Sequence, residues 1–147
     1  MLKKILENYD AIIELPVLWG EMDAAQHVNN AIYLRYSEAG RIAYFKTMNF
    51  EVNVAASGEA SIGPILAEIN CRYKMPLTFP DTISIATRVD ITSVDEYSFW
   101  TEQIVVSHKY ERVAAEIRAK LVSYNYSTLQ KTPIPAFFRD KIIKKNS

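Results

Sequence analysis

Cysteine is almost absent from this sequence, since Cys71 is the only one among 147 residues. A single cysteine excludes an internal disulfide and a metal site made of several cysteine thiolates. The only histidines, His27 and His108, lie far apart in the sequence and in different predicted elements. No spacing typical of metal ligands is present, and we therefore expect no metal and no cofactor.

An excess of positive charge is also absent. The 17 lysines and arginines are balanced by 17 aspartates and glutamates, and the formal net charge is zero. Nucleic-acid-binding modules usually carry a basic surface that neutralises phosphates, so we expect no nucleic-acid partner.

Long apolar runs are missing as well, because no window approaches the roughly 18 apolar residues that a membrane helix needs. Glu7, Asn8 and Asp10 interrupt the apolar run near the N-terminus, which is too short for a signal peptide. We therefore expect no membrane partner and a cytoplasmic location. The composition is that of an ordinary globular protein, 49% hydrophobic and 23% charged, and the length predicts one domain over residues 1–147.

Alternating apolar and polar residues predict several strands. The first covers residues 11–19 and contains Pro16, which cannot donate a ladder hydrogen bond and so favours an edge strand or a bulge. A break in the alternation near Gln103 favours a bulge there. Short connections between the later segments predict antiparallel neighbours. These later segments are residues 65–73, 83–91, 97–107 and 113–121.

One long stretch, residues 31–50, has helical spacing, and Asn30 before it is a favoured N-cap residue. Gly40 lies within this helix at a cost of about 1 kcal/mol relative to alanine, which close packing against a sheet would explain. A shorter helix is predicted near the C-terminus, with Phe137 and Ile142 packing on the body. The order of elements predicts an α+β domain in which one long helix covers an antiparallel sheet.

Side chains suited to acid–base chemistry are concentrated where the first strand ends and the long helix begins. The free amides and positive dipole end of a helix can polarise a carbonyl and stabilise an oxyanion. A carboxylate just before that helix can act as a base or a nucleophile, so the region favours acyl transfer. The residues concerned are Glu21, Asp23, Gln26, His27, Asn29, Asn30, Tyr33 and Glu38.

The motif HVNNAIY, with Asp23 four residues before His27 and Arg41 in the helix that follows, resembles that of the hotdog-fold acyl thioesterases. The resemblance is to the 4-hydroxybenzoyl-CoA thioesterase group and its acyl-CoA and acyl-carrier-protein relatives. The segment RYKMPLTFPDTISIATRV is similar to the family's tyrosine–x–x–proline strand pair, and PAFFRDKI to its closing helix. This resemblance covers most of the chain and implies a sheet of about five strands wrapped around one long helix.

The resemblance also implies roles for individual residues. Asp23 falls on the catalytic carboxylate, which attacks the thioester or activates water, and the backbone amide of Asn30 matches the donor to the thioester carbonyl. Glu38 is a further catalytic candidate and falls on a helix position that faces the acyl pocket in some relatives. His27 belongs to the motif as a further catalytic candidate. The motif residues Asn29 and Tyr33 are candidates for substrate binding.

The chain departs from the family pattern in two places. Many relatives have glycine directly before the motif histidine, whereas this chain has Gln26, as plant acyl-carrier-protein thioesterases do. Those plant enzymes also have an asparagine two residues before the histidine, where this chain has Ala25. The acidic hairpin at residues 92–96 suits neither coenzyme A phosphates nor an acidic carrier protein. The remaining candidates for binding phosphate are Lys74, Arg88 and Arg118.

Structural roles are the alternatives for these residues. Asp23 can cap a turn, and His27 can fix the loop through hydrogen bonds to the backbone. Glu38 can be a surface residue paired with Arg35 or Arg41. The Asn30 side chain can cap the helix while its amide faces the site.

The function we expect is acyl thioester hydrolysis, with coenzyme A only as part of the substrate. A hydroxyacyl dehydratase and a non-catalytic acyl-thioester-binding module are the alternatives. We expect a homodimer or homotetramer, because an exposed apolar patch is unusual on a monomer. Residues 50–63, which have no clear period, are expected to be a loop that closes the partner's site. The apolar residues expected on the uncovered sheet face are Leu66, Trp100, Ile104, Val106 and Val122.

Overall fold

The computed structural model describes residues 1–50 and 61–145. The helices are α1 (Leu2–Leu6), α2 (Ile32–Thr47) and α3 (Ala136–Lys145), with short 3-10 turns at Trp19–Glu21 and Ile91–Ser93. The strands are β1 (Ala11–Pro16), β2 (Ile62–Tyr73), β3 (Thr82–Asp90), β4 (Ser98–Ser107), β5 (Arg112–Asn125) and β6 (Gln130–Lys131).

The strands form one sheet in the order β1-β3-β4-β5-β2, with every neighbouring pair antiparallel, and β6 pairs with the end of β5. Pro16 ends the edge strand β1, as its missing amide hydrogen predicts. Helix α2 packs against β1, β3 and β4 on one face of the sheet. The predicted architecture is therefore confirmed. Of the segment expected to be a loop, Gly63 lies in β2, and residues 51–60 lie outside the described residues.

Gln103 does not mark a bulge, because the irregularity in β4 lies between Val105 and Val106. The Gln103 side chain is buried under α2, where its Nε2 donates to the Ser37 carbonyl and to Thr87 Oγ1, both at 2.9 Å. Its Oε1 accepts a hydrogen bond from Ser37 Oγ at 2.5 Å. A polar residue interrupts the apolar pattern here because the helix supplies its hydrogen-bond partners.

Gly40 lies directly over this buried polar group. A Cβ atom at position 40 would be 2.6 Å from Ile85 Cγ2 and 2.7 Å from Gln103 Nε2. The close packing expected from a mid-helix glycine is confirmed, and it sets the depth at which α2 sits against the sheet.

Helix α1 covers part of the opposite face of the sheet. Leu2, Ile5 and Leu6 pack against the buried residues Ile104 and Val106. The expectation that both of these residues lie on an uncovered face was therefore wrong, because α1 buries them. Leu66 remains 44% exposed on β2, while Trp100 and Val122 are half-buried.

The C-terminal helix packs through a face one residue away from the one expected. Phe138 and Ile142 are fully buried against Phe45 and Phe99, whereas Phe137 is 47% exposed. The prediction was correct for Ile142 and wrong for Phe137, since 138 and 142 share a helix face at a spacing of four. Within the described parts of the chain, no helix has both the length and the apolar character needed to cross a bilayer.

Replacing Gly40 with alanine tests the close approach of α2. We expect Gly40→Ala to lower the free energy of unfolding by about 1–3 kcal/mol, because the new methyl group overlaps Ile85 and Gln103. Gly20→Ala is the matched control, since nothing lies within 4 Å of a Cβ atom at that position. Chemical denaturation of both variants measures the difference, and equal stability of the two would contradict the packing described here.

Candidate active site

The loop between β1 and α2 is closed by its own backbone hydrogen bonds. The Asp23 amide donates to the His27 carbonyl, and the Asn29 amide donates to the Glu21 carbonyl, each at 2.9 Å. Val28 is buried, and its amide donates to the Leu77 carbonyl, also at 2.9 Å. The polar side chains of the loop are thus presented from a backbone that is anchored to the core.

Asp23 is exposed, and its Oδ1 accepts a hydrogen bond from the Ala25 amide at 2.9 Å. This is an Asx-turn, so the structural role considered for Asp23 is present. The turn orients the carboxylate without removing it from solvent. Asp23 also lines a shallow groove of about 450 Å³, which we call the Asp23 groove. Its lining consists of Trp19, Gly20, Met22, Asp23, Ala24 and Gln26.

Gln26 has a φ of 61°, in the left-handed region. This conformation is strained for a residue with a Cβ atom and is natural for glycine. The structure thus explains physically why glycine suits this position in the many relatives that have it.

The start of α2 differs from the prediction in its capping residue. Ala31 is the N-cap residue, and the Asn29 side chain, not that of Asn30, accepts a hydrogen bond from its amide at 2.9 Å. Asn30 was expected to cap the helix and does not, because the helix begins one residue later than its sequence pattern indicates. Its carbonyl accepts a hydrogen bond from the Tyr73 hydroxyl at 2.9 Å. The Asn30 N–H donates to none of the described residues and so stays available at the helix start.

His27, Asn30 and Tyr33 line a second cavity of about 320 Å³ at the start of α2, the helix-start groove. His27 is exposed, whereas Tyr33 is buried and packs edge-on against Tyr73 with ring centroids 5.0 Å apart. Burial, followed by the neighbouring Cys71, raises the pKa of Tyr73 to about 12, so its hydroxyl stays protonated and donates to Asn30. The rest of the lining comes from Val28, Tyr73, Lys74, Met75 and Pro76.

Glu21 joins the loop to α2, a role that the sequence pattern did not indicate. Its Oε1 accepts hydrogen bonds from the Leu18 amide at 2.8 Å and from the Tyr36 hydroxyl at 2.7 Å. Burial, with a further contribution from Glu21, raises the pKa of Tyr36, so the hydroxyl remains a donor. In the sequence, the only signal for this link is Tyr36 on the apolar face of the predicted helix, and that signal does not identify Glu21 as its partner.

Glu38 lies in a third place, between α2 and β2. It makes no ion pair with Arg35 or Arg41, so the alternative of a paired surface residue is not observed, although its charge acts on Arg41. The cavity there has a volume of about 410 Å³, and we call it the Glu38 groove. Its lining consists of Glu38, Arg41, Ile42, Phe45, Pro64, Ile65, Leu66, Leu121 and Tyr126. One chain therefore places the predicted residues in three separate grooves.

Of the three basic residues considered for phosphate binding, only Lys74 lies beside the site. It lines the helix-start groove, although its Nζ also lies 3.0 Å from Glu116 Oε1. Arg88 and Arg118 lie away from these grooves and both pair with Glu102.

A serine, a histidine and a carboxylate also meet elsewhere on the sheet. His108 Nε2 lies 2.7 Å from Ser84 Oγ and 3.6 Å from Glu14 Oε1. Both contacts use the same ring nitrogen, whereas a catalytic triad needs the carboxylate on the other one, and Ser84 is buried. Over residues 1–50 and 61–145, no three His, Cys, Asp or Glu side chains come together in a way that could hold a metal ion.

Comparison with known proteins decides the family. Residues 17–142 match the sequence profile of the Thioesterase-like superfamily. The chain belongs to this superfamily. Its structure is the hotdog fold, and it is a thioester hydrolase.

Solved structures agree with this assignment. The thioesterase is similar to the PA2801 protein from Pseudomonas aeruginosa, with 25% identity, a TM-score of 0.76, and coverage of 93% of this chain and 98% of the other. It is similar to the BH1999 gentisyl-coenzyme A thioesterase, with 26% identity, a TM-score of 0.74, and coverage of 87% and 98%. A thioesterase superfamily protein from Jannaschia sp. CCS1 shares the fold, with 23% identity, a TM-score of 0.84, and coverage of 98% and 89%.

Substitution of Gln26 tests the strain in the loop of this thioesterase. We expect Gln26→Gly to raise the free energy of unfolding by up to about 1 kcal/mol, because glycine adopts a positive φ without a Cβ clash. Ala24→Gly in the same loop is the control and should not stabilise the protein, since Ala24 does not have a positive φ. Thermal and denaturant unfolding measure both effects, and a loss of stability in Gln26→Gly would refute the strain argument.

Proposed function

We propose that this thioesterase hydrolyses acyl thioesters of coenzyme A, with Asp23 as base or nucleophile and the Asn30 amide as donor to the carbonyl. The observation that carries the proposal is the free Asn30 N–H at the start of α2, beside a groove and seven residues after an oriented, exposed carboxylate. The similarity to a gentisyl-coenzyme A thioesterase supports coenzyme A as the thiol carrier.

In the proposed reaction, the thioester carbonyl oxygen accepts a hydrogen bond from the Asn30 N–H. Negative charge that develops on this oxygen is stabilised by that amide and by the positive end of the α2 dipole. Asp23 either attacks the carbonyl carbon or removes a proton from an attacking water. If Asp23 attacks, the carbon–sulfur bond breaks to leave an anhydride between the acyl group and Asp23, which water then hydrolyses. If water attacks, the carbon–sulfur bond breaks as the free acid forms. In both routes the leaving thiolate takes up a proton from the water, and coenzyme A is released as the thiol, with a free acid as the other product.

The other motif residues act around this centre in the proposal. Asn29 holds the helix start through its bond to the Ala31 amide, and Tyr33 forms a wall of the helix-start groove. His27 lies on the rim of that groove, within reach of a bound thioester group. Lys74 lines the same groove and offers a positive charge to the phosphates of coenzyme A.

We further propose that two chains complete the site. Within one chain the Asp23 groove and the Glu38 groove are separate, and no strand among the described residues pairs with the outer side of the edge strand β2. A second copy paired along β2 would cover apolar surface and bring the Glu38 groove of one chain toward the helix start of the other. The exposed apolar residues on this side are Leu34, Ile42, Leu66 and Tyr73. A homodimer satisfies this requirement, and a homotetramer remains a prediction built on it.

The role of Asp23 can be tested without disturbing the loop. Asn in place of Asp23 retains the oxygen that accepts from the Ala25 amide, so the Asx-turn is kept and only the charge is removed. We expect Asp23→Asn to lower kcat by at least about 100-fold, because a base or nucleophile is lost. Thiol release from a panel of acyl-CoA substrates measures the effect.

Asp140 is an exposed carboxylate on α3, and Asp140→Asn is the matched control, which should retain full turnover. An Asp23→Asn enzyme with near wild-type turnover would show that Asp23 is not the catalytic carboxylate.

The assembly can be tested by placing a charge on the β2 edge. We expect wild-type protein to have at least a dimer mass by light scattering at micromolar concentration. Leu66→Lys should shift it toward monomer and lower turnover while Asp23 is intact, because a buried lysine would oppose pairing. Leu129→Lys, at an exposed site outside β2, should change neither property. A fully active monomer would contradict the shared site.

Chelation tests the expectation that no metal takes part. We expect turnover to survive prolonged treatment with EDTA, since the amide and carboxylate proposed here need no Lewis acid. Loss of activity that is restored by added Zn²⁺ would overturn this expectation.

A further inference from the structure

Arg41 is a nearly buried cation on the wall of the Glu38 groove. It is 7% exposed, on the side of α2 that faces β2. Arginine is seldom buried to this degree without an anionic partner, because a desolvated charge is costly. Arg41 has no ion pair with any of the described residues.

One end of the guanidinium is held firmly. Arg41 Nη1 donates to Ser37 Oγ at 2.5 Å, and Ser37 in turn donates to Gln103 Oε1. Gln103 is fixed by Thr87, so the chain of hydrogen bonds runs into the centre of the sheet. The guanidinium is therefore held in one orientation by the core beneath it.

The other donors of Arg41 face the groove. The described hydrogen bonds use only Nη1, and no buried side-chain nitrogen or oxygen in the described residues lacks a partner. The remaining N–H groups therefore reach the solvent of the groove. Burial lowers the pKa of Arg41, and the negative charge of Glu38 offsets only part of this effect, a direction that agrees with a cation whose hydration is incomplete.

The rest of the groove is mostly apolar. Phe45, Ile65 and Leu121 form walls that suit a hydrocarbon or aromatic body. Among the described residues, Glu38 is the only acidic one in the lining; it is exposed at the rim, where its charge acts on Arg41 without forming an ion pair. A ligand that fills this groove would bring its far end to an oriented guanidinium at the base of apolar walls.

We propose that the Glu38 groove binds an acyl group with an apolar body and a carboxylate at its far end, and that Arg41 pairs with this carboxylate. The inference rests on the proposed coenzyme A thioesterase function and adds the class of acyl group. A carboxylate is favoured over a neutral acceptor because charge-assisted hydrogen bonds are about twice as strong as neutral ones. The planar guanidinium also matches two carboxylate oxygens.

The test compares acyl-CoA ligands that differ only at the far end. Adipoyl-CoA ends in a carboxylate and hexanoyl-CoA in a methyl group, and 6-hydroxyhexanoyl-CoA supplies a neutral acceptor. Binding is measured by calorimetry to Asp23→Asn protein, which keeps the loop but should not turn over. We expect adipoyl-CoA to bind at least about tenfold more tightly than hexanoyl-CoA, with the hydroxyl ligand between them.

Variants of the two charged groove residues assign the preference. Arg41→Met should abolish the preference for adipoyl-CoA, and Arg41→Lys should retain part of it. Arg35→Met, on the exposed side of the same helix, is the matched control and should leave the preference unchanged. Glu38→Gln should strengthen the binding of adipoyl-CoA but not that of hexanoyl-CoA or 6-hydroxyhexanoyl-CoA, because it removes a negative charge that repels the ligand carboxylate.

Several outcomes would overturn the proposal. Equal binding of adipoyl-CoA and hexanoyl-CoA, or tightest binding of the hydroxyl ligand, would exclude a carboxylate-reading Arg41. A preference that survives in Arg41→Met would place the carboxylate elsewhere. If Arg41→Met fails to fold, Arg41→Lys and Glu38→Gln still decide the question by their opposite effects. Hydrolysis of hexanoyl-CoA without a carboxylate preference would overturn this inference alone, whereas binding of none of the three thioesters would overturn the proposed function as well.

Discussion

At Gly40, helix α2 lies so close to the sheet that a methyl group would be 2.6 Å from the Ile85 side chain. Next to it, Gln103 binds the Ser37 carbonyl and hydroxyl, so the helix is held by hydrogen bonds as well as by close packing. A helix at this depth can move neither along the sheet nor away from it without leaving buried polar groups unpaired, which is costly. The positions of both ends of α2, and of the grooves beside it, depend on this contact.

Two functional regions follow from that placement. At the start of α2, Asn30 is positioned by Tyr73 of β2, and its amide donates to none of the described residues. About three turns further along, the hydrogen bonds around Gln103 reach Arg41 through Ser37 and hold its guanidinium at the Glu38 groove. A polar core that positions the helix thus also orients the charge that we propose to select the acyl group.

The loop before α2 shows how the carboxylate that we propose as catalytic can be exposed and still oriented. Asp23 is held by the Ala25 amide, and the loop is joined to the helix by Glu21 and Tyr36. Gln26 retains a left-handed conformation that would suit glycine. Such strain persists only where the surrounding hydrogen bonds determine the backbone, as they do in this loop.

The sequence by itself determined the features that depend on periodicity and local chemistry. Alternation and helical spacing predicted the sheet and the long helix, Pro16 favoured an edge strand or a bulge, and the HVNN motif located the helix start to within one residue. Only the tertiary structure decided which partner each side chain meets. It assigned Gln103 to a buried polar contact instead of a bulge, and it buried Ile104 beneath α1. The physical reason is that a pattern along the chain records which face a residue shares with its neighbours, whereas hydrogen bonds between α2 and β4 join residues 66 positions apart.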